Sequence, residues 1–203
     1  MIKAVLFDFG GVLTEGGRAG AVQENIAALC GRQPSEIVVG DLHEKFIRSQ
    51  ITEAEFFAEL NRRYPCPTPI SAKAFHASSS LYKKSLPVYK LAETLRAHGV
   101  VTGILSNIYP INAAKLQAEG YYDGFDPLVL SSVEHLAKPD PEFFKVALSK
   151  LNLPGHEVLF IEDQQRFKKV AESLGMHFLL AESPTQIVAD TKALLQKQNG
   201  IRL

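Results

Sequence analysis

The sequence predicts an α/β fold, a doubly wound parallel sheet interrupted after its first strand by a helical insert. Three observations predict it. Short apolar runs of strand length recur along the chain, helical patterns separate the later ones, and from about Arg18 to Ser85 the alternation gives way to consecutive helices. Strands alternating with helices build a parallel sheet covered on both faces.

The first run, Ala4 to Phe7, is continuously apolar and stops at Asp8, as expected of a strand buried on both faces. In the insert, helical patterns cover Ala21 to Cys30, Ser35 to Ser49, Thr52 to Tyr64 and Ala72 to Lys84. Phe56, Phe57 and Leu60 make an apolar stripe behind the capping box Thr52-x-x-Glu55. After it, Pro87 to His98 carries Val88, Leu91 and Leu95 at helical spacing and ends at Gly99. The remaining strand candidates are Val100 to Leu105, Leu128 to Leu130, Val158 to Ile161 and His177 to Leu180.

Asp140-Pro141 supplies an N-cap and a proline at the first helical position, ahead of Phe143, Phe144, Ala147 and Leu148. Ser183-Pro184-Thr185-Gln186 repeats the device before Ile187, Leu194 and Leu195. The expected organisation is a Rossmann-like core from residues 1–14 and 86–203, with a helical domain over 15–85.

The 203 residues suffice for such a core and insert. The 22 basic residues balance 22 acidic ones, which argues against an electrostatic nucleic-acid binder. No stretch approaches the length of a membrane span, and the apolar run near Met1 is too short for a signal peptide. Cys30 and Cys66, outside any C-x-x-C spacing, read as reduced thiols, and the expected location is cytoplasmic.

Four polar segments fall at or just beyond strand ends: Asp8, Ser106-Asn107, Lys138-Pro139-Asp140 and Glu162-Asp163. Ligands of doubly wound sheets bind at that edge. Taken singly, each has a bland explanation as a turn former, loop residue or helix cap. Together they supply a carboxylate able to attack phosphorus, an acidic pair suited to magnesium, and a lysine with short donors for charge on phosphoryl oxygens.

In this order the segments resemble the motifs of the haloacid dehalogenase-like hydrolase superfamily. Asp8-Phe9-Gly10-Gly11-Val12-Leu13 is similar to its first motif and Leu105-Ser106-Asn107 to its second. Ala137-Lys138-Pro139-Asp140-Pro141 is similar to its third. Phe160-Ile161-Glu162-Asp163, followed by Ala171, Leu174, Gly175 and Met176, is similar to its fourth. The insert resembles the family's helical cap.

The resemblance implies Asp8 as nucleophile, Ser106 and Asn107 as phosphate contacts, and Lys138 as the neutralising cation. It implies Mg2+ held by Asp8, the Gly10 carbonyl and Asp163, with Glu162 as a direct or water-mediated partner. The implied substrate is a small phosphorylated metabolite, hydrolysed through a phospho-aspartate by a monomer or homodimer without nucleic-acid or membrane partners.

Gly10 departs from the pattern, because most phosphatases of the family carry a second Asp there as general acid and base. That assistance is worth about 100- to 10,000-fold. Three accounts follow. The first is a phosphatase drawing its acid from elsewhere, with Glu15 one candidate, or acting on a good leaving group such as a sugar 1-phosphate. The second is a binding or regulatory protein that has lost turnover. The third is a 2-haloacid dehalogenase, but those enzymes bind no magnesium, lack the acidic pair and usually carry Tyr at this position. His135, Phe167, Lys168 and Lys169 are smaller departures. Arg18, Arg48, His76, Lys83 and Lys84 are insert cations that a polar substrate could meet, but lone basic residues on helical faces are more often surface or capping residues, and none is assigned a role.

Overall fold

The computed structural model describes residues 1–16, 20–74 and 82–200. Among them, β1 (Ala4–Phe7), β2 (Val101–Ser106), β3 (Leu128–Leu130), β4 (Val158–Glu162) and β5 (His177–Leu180) form one parallel sheet in the order β3-β2-β1-β4-β5. Phe7 lies opposite Ile104 on one side and Ile161 on the other. This register brings Asp8, Ser106 and Glu162 to the same carboxyl edge.

Alternate residues of the strands serve opposite faces. Val5, Phe7, Ile104, Leu159 and Ile161 pack with Val88, Leu91 and Leu95 of α4 (Leu86–Ala97), Leu116 of α5 (Pro110–Ala118) and Ile187 and Leu195 of α9 (Pro184–Asn199). Ala4, Leu6, Leu105, Val129 and Phe160 pack on the other face against Phe143, Phe144 and Ala147 of α7 (Pro141–Leu151) and Ala171 of α8 (Lys168–Ser173). Burial on both faces explains why the central strands β1 and β4 are apolar up to the carboxyl edge.

Between β1 and α4 lie α1 (Ala21–Cys30), α2 (Gly40–Ile47) and α3 (Glu53–Arg63). They share a separate hydrophobic cluster in which the Phe46 and Phe56 rings stack at 4.1 Å. Tyr109 and Ala137, from loops of the sheet's carboxyl edge, belong to this cluster and join the insert to the core. Polar contacts strengthen the seam. Ser49 Oγ donates to the Ser132 carbonyl, and His135 Nδ1 bonds the Arg48 carbonyl at the end of α2. His135 follows α6 (Ser131–Glu134) and adopts φ 57, the region that favours glycine.

The helix expected over residues 35–49 is divided. Pro34–Glu36 is a 3-10 turn, Ile37 is extended, and α2 begins only at Gly40. The Tyr64 hydroxyl explains the break, since it accepts from Val38 N–H and donates to the Val38 carbonyl, leaving both groups satisfied outside a helix. The expectation of two reduced thiols is corrected. Cys30 ends α1, Cys66 follows α3, and the packing of those helices joins them in a disulfide. Joined in this way, the two cysteines give no ground for a reducing compartment. The Ala72 to Lys84 helix lies partly outside the described residues. Among those described, no helix is long and apolar enough to cross a membrane.

Candidate active site

Asp8 continues β1, its N–H donating to the Ile161 carbonyl. The loop after it is anchored at several points. Phe9 packs its ring against Tyr82, Tyr121 and Tyr122. Val12 and Leu13 are buried, and Thr14 Oγ1 donates to the Phe9 and Gly16 carbonyls. Such anchoring fixes the Asp8 carboxylate before any ligand arrives.

Lys138 reaches Asp8 from the loop between α6 and α7. Its Nζ donates to Asp8 Oδ1 at 2.8 Å and to Glu162 Oε2 at 2.5 Å, above the rings of Phe160 and Phe167. Asn107 positions the lysine's backbone. Its Nδ2 donates to the Lys138 carbonyl, and its Oδ1 accepts from Lys138 N–H. The Asn107 side chain thus holds the lysine loop. Ser106 is buried at the tip of β2, on the same sheet edge as Asp8.

One ammonium faces three carboxylates, for Asp8, Glu162 and Asp163 offer oxygens within 4.8 Å of one another. Glu162 is satisfied by Lys138 and by Gln164 N–H. Asp163 is not, since its Oδ1 is buried without a hydrogen-bond partner. The loop also makes room for it. Gly11 has φ +78, and a Cβ there would stand 2.5 Å from Asp163 Oδ2. An orphaned carboxylate oxygen in an acid-rich, glycine-lined corner fits a hard divalent cation with oxygen ligands.

The charges register the same imbalance. Burial, aided by Glu162, pushes the Asp8 carboxyl up to about 6 against the opposing pull of Lys138. Burial also raises Glu162 and Asp163. Burial alone would lower the Lys138 ammonium, but Asp8 and Glu162 together raise it, so it stays charged.

Above these groups a cavity of about 380 Å³ separates the sheet edge from the insert. Its floor is Asp8, Gly10, Ser106, Asn107 and Lys138; α1 and α2 contribute Val22, Gln23, His43 and Ile47, and Arg166 and Phe167 close one side. Glu15 is absent from the lining and pairs with Lys83 at the surface. Arg48 is engaged by Glu44, and Lys84 donates to the Gly120 carbonyl. None of Arg48, Lys83 and Lys84 lines the cavity. Arg18 and His76 lie outside the described residues. Lys168 pairs with Glu172 on α8, away from the floor. His43 and Arg166 escaped the sequence reading, because a lone histidine on an amphipathic helix and an arginine in a short turn carry no motif.

Comparison with known proteins agrees with this geometry. The profile of the haloacid dehalogenase-like hydrolases matches residues 2–166. Acyl-CoA dehydrogenase family member 10 of Mus musculus is 31% identical over 95% of this chain, which spans only 19% of that protein's length. The sesquiterpene phosphatase astK of Aspergillus oryzae is 25% identical over 86% of this chain and 87% of its own. A haloacid dehalogenase-family enzyme of Bacteroides thetaiotaomicron, solved with magnesium and inorganic phosphate, superposes with a TM-score of 0.76. It is 26% identical, over 90% of this chain and 96% of its own. The chain belongs to the haloacid dehalogenase-like hydrolase family.

Proposed function

We propose that this haloacid dehalogenase-like hydrolase is a magnesium-dependent phosphatase of small phosphomonoesters, acting through a phosphorylated Asp8. The observation that carries the reading is the charge arrangement at the sheet edge. A buried ammonium is shared by Asp8 and Glu162, and the Asp163 oxygen beside them lacks a partner. A dehalogenase acting without metal has no use for that acidic corner. The phosphatase relative and the neighbour solved with magnesium and phosphate support the same choice.

Asp8, Asp163 and the Gly10 carbonyl would hold magnesium, with Glu162 behind them. The ion, when bound, offsets the repulsion between the Asp8 carboxylate and a phosphoryl group. Asp8 attacks phosphorus in line, and the bond to the departing oxygen breaks. Lys138 and the Ser106 hydroxyl hold the charge that gathers on the equatorial oxygens. Asn107 keeps Lys138 in place through its backbone. Water then attacks phosphorus and frees Asp8. The cavity volume suits a small organic phosphate enclosed by the insert acting as a cap.

A second reading rests on Gly10. Without a carboxylate there, the protein would bind a phosphorylated ligand and turn it over hardly at all. A panel of sugar, nucleotide and aryl phosphates, assayed with and without magnesium, separates the two. The phosphatase reading expects magnesium-dependent phosphate release that is lost in Asp8→Asn. A protein inert across the panel that binds one member tightly contradicts it.

A further inference from the structure

In-line attack by Asp8 sends the departing oxygen to the far side of phosphorus, towards α1 and α2. Gly10 has no side chain to protonate it. Among the described residues, the titratable groups lining the cavity besides Asp8 and Lys138 are His43, Glu44, Tyr82 and Tyr109, with Arg166 a permanent cation. Burial pushes Tyr82 up to about 12 and Tyr109 well above the ordinary tyrosine range, so both keep their protons near neutrality. The Glu44 carboxylate is taken by Arg48 and is half exposed. Among the described residues, only His43 combines a place in the cavity with a side chain of the kind that exchanges protons near neutrality.

Its setting suits the task. His43 projects from α2 on the face that also brings Val39, Gly40, Glu44 and Ile47 to the cavity. Nδ1 lies 2.8 Å from Tyr109 Oη, and the two rings meet edge to face at 5.4 Å. Tyr109 is buried against Phe46 and Phe56 and gives the imidazole a fixed orientation. Nε2 makes no hydrogen bond among the described residues. The far end of α2 is tied to the sheet edge through Arg48 and His135.

We propose that His43 is a catalytic residue of this hydrolase, a role that rests on the phosphatase reading above: its Nε2 protonates the departing oxygen and then takes a proton from the attacking water. In the first half-reaction Asp8 forms its bond to phosphorus, the phosphorus–oxygen bond to the alcohol breaks, and the Nε2 proton passes to that oxygen. In the second, Nε2 accepts a proton from water as the water oxygen bonds to phosphorus and Asp8 departs. The imidazolium is restored and phosphate leaves. Throughout, Nδ1–H donates to Tyr109 Oη, so that Nε2 is the nitrogen that cycles.

The charged and titratable groups facing His43 are Glu44 and Arg48 on its own helix and Arg166 and Tyr109 from the core. Burial lowers the imidazole, Arg166 and Arg48 add to the lowering, and Glu44 opposes it. A bound phosphate dianion would oppose it too, keeping the acid form available when substrate is present.

Rapid-quench kinetics on the intact protein with magnesium test the proposal, comparing the wild type with His43→Gln. An aryl phosphate whose leaving group needs no acid should give His43→Gln a stoichiometric burst of aryl alcohol followed by slow turnover. An alkyl phosphate should give no burst and a loss of about 100- to 10,000-fold. Tyr109→Phe keeps the imidazole and should show a smaller loss of the same pattern. The burst itself demonstrates a folded site, and a merely structural role would slow both substrates alike without one. If His43→Gln slows all leaving groups equally without an aryl burst, or slows none, the His43 role is overturned and the phosphatase reading stands. A wild type inert towards both substrates overturns the two together.

Discussion

Replacing Asp8 by Asn should stabilise the metal-free protein while it abolishes turnover. Asp8 is nearly inaccessible and its carboxyl is moved from the ordinary 3.8 to about 6, by burial first and by Glu162 second. An acid raised in this way binds more protons folded than unfolded, so stability falls as pH rises through the window between those two values. That displacement costs the folded state about 3 kcal/mol above the upper value and nothing below the lower one. Asn removes the charge and keeps an oxygen to accept from Lys138 Nζ. Urea unfolding in EDTA should therefore show Asp8→Asn more stable by up to about 3 kcal/mol at about pH 7.5, with the gap closing near pH 4. Added magnesium should narrow the gap from the other side, by stabilising the wild type through binding. A variant equal to or weaker than the wild type at neutral pH, without metal, would refute the reasoning from buried, mutually repelling carboxylates.

Lys138→Met should cost about 3–5 kcal/mol near neutrality, because Asp8 and Glu162 lose their shared counter-charge. Unfolding followed against pH should show part of that cost recovered in acid, as the two carboxyls protonate. Gly11→Ala forces a Cβ to 2.5 Å from Asp163 Oδ2 at φ +78, so about 1–3 kcal/mol of stability should be lost. Calorimetric titration should show weakened magnesium binding in the same variant. Asn107→Asp replaces the donor to the Lys138 carbonyl with an acceptor. It should cost about 1–3 kcal/mol in thermal unfolding and lower turnover through a displaced lysine.

Much of the core could be read from the chain because burial on both faces writes strands as unbroken apolar runs. β1 and β3 match their runs, and β2 and β4 each extend one residue further, to Ser106 and Glu162. Thr52 and Ser183 cap helices as their sequence contexts suggest. Pro110 opens α5 behind Tyr109, a proline signal at the first helical position that the apolar pattern alone does not make evident. The break at Ile37 depends on the Tyr64 hydroxyl, and the Cys30–Cys66 bond on the packing of α1 and α3, neither of which is local in sequence. The site divides in the same way. Asp8, Ser106 and Glu162 converge because parallel strands end together, and Lys138 joins them from the loop after α6. The use of Asn107 to hold Lys138 appears only in three dimensions, as does the meeting of His43 and Tyr109.

The central claim is that Asp8 takes the phosphoryl group. Mass spectrometry of protein quenched in acid during turnover of an aryl phosphate with magnesium tests it most directly. The account predicts a phosphoryl adduct on the peptide containing Asp8, absent in Asp8→Asn and longer lived in His43→Gln. Sustained phosphate release with no adduct on that peptide, or undiminished release by Asp8→Asn, would contradict it.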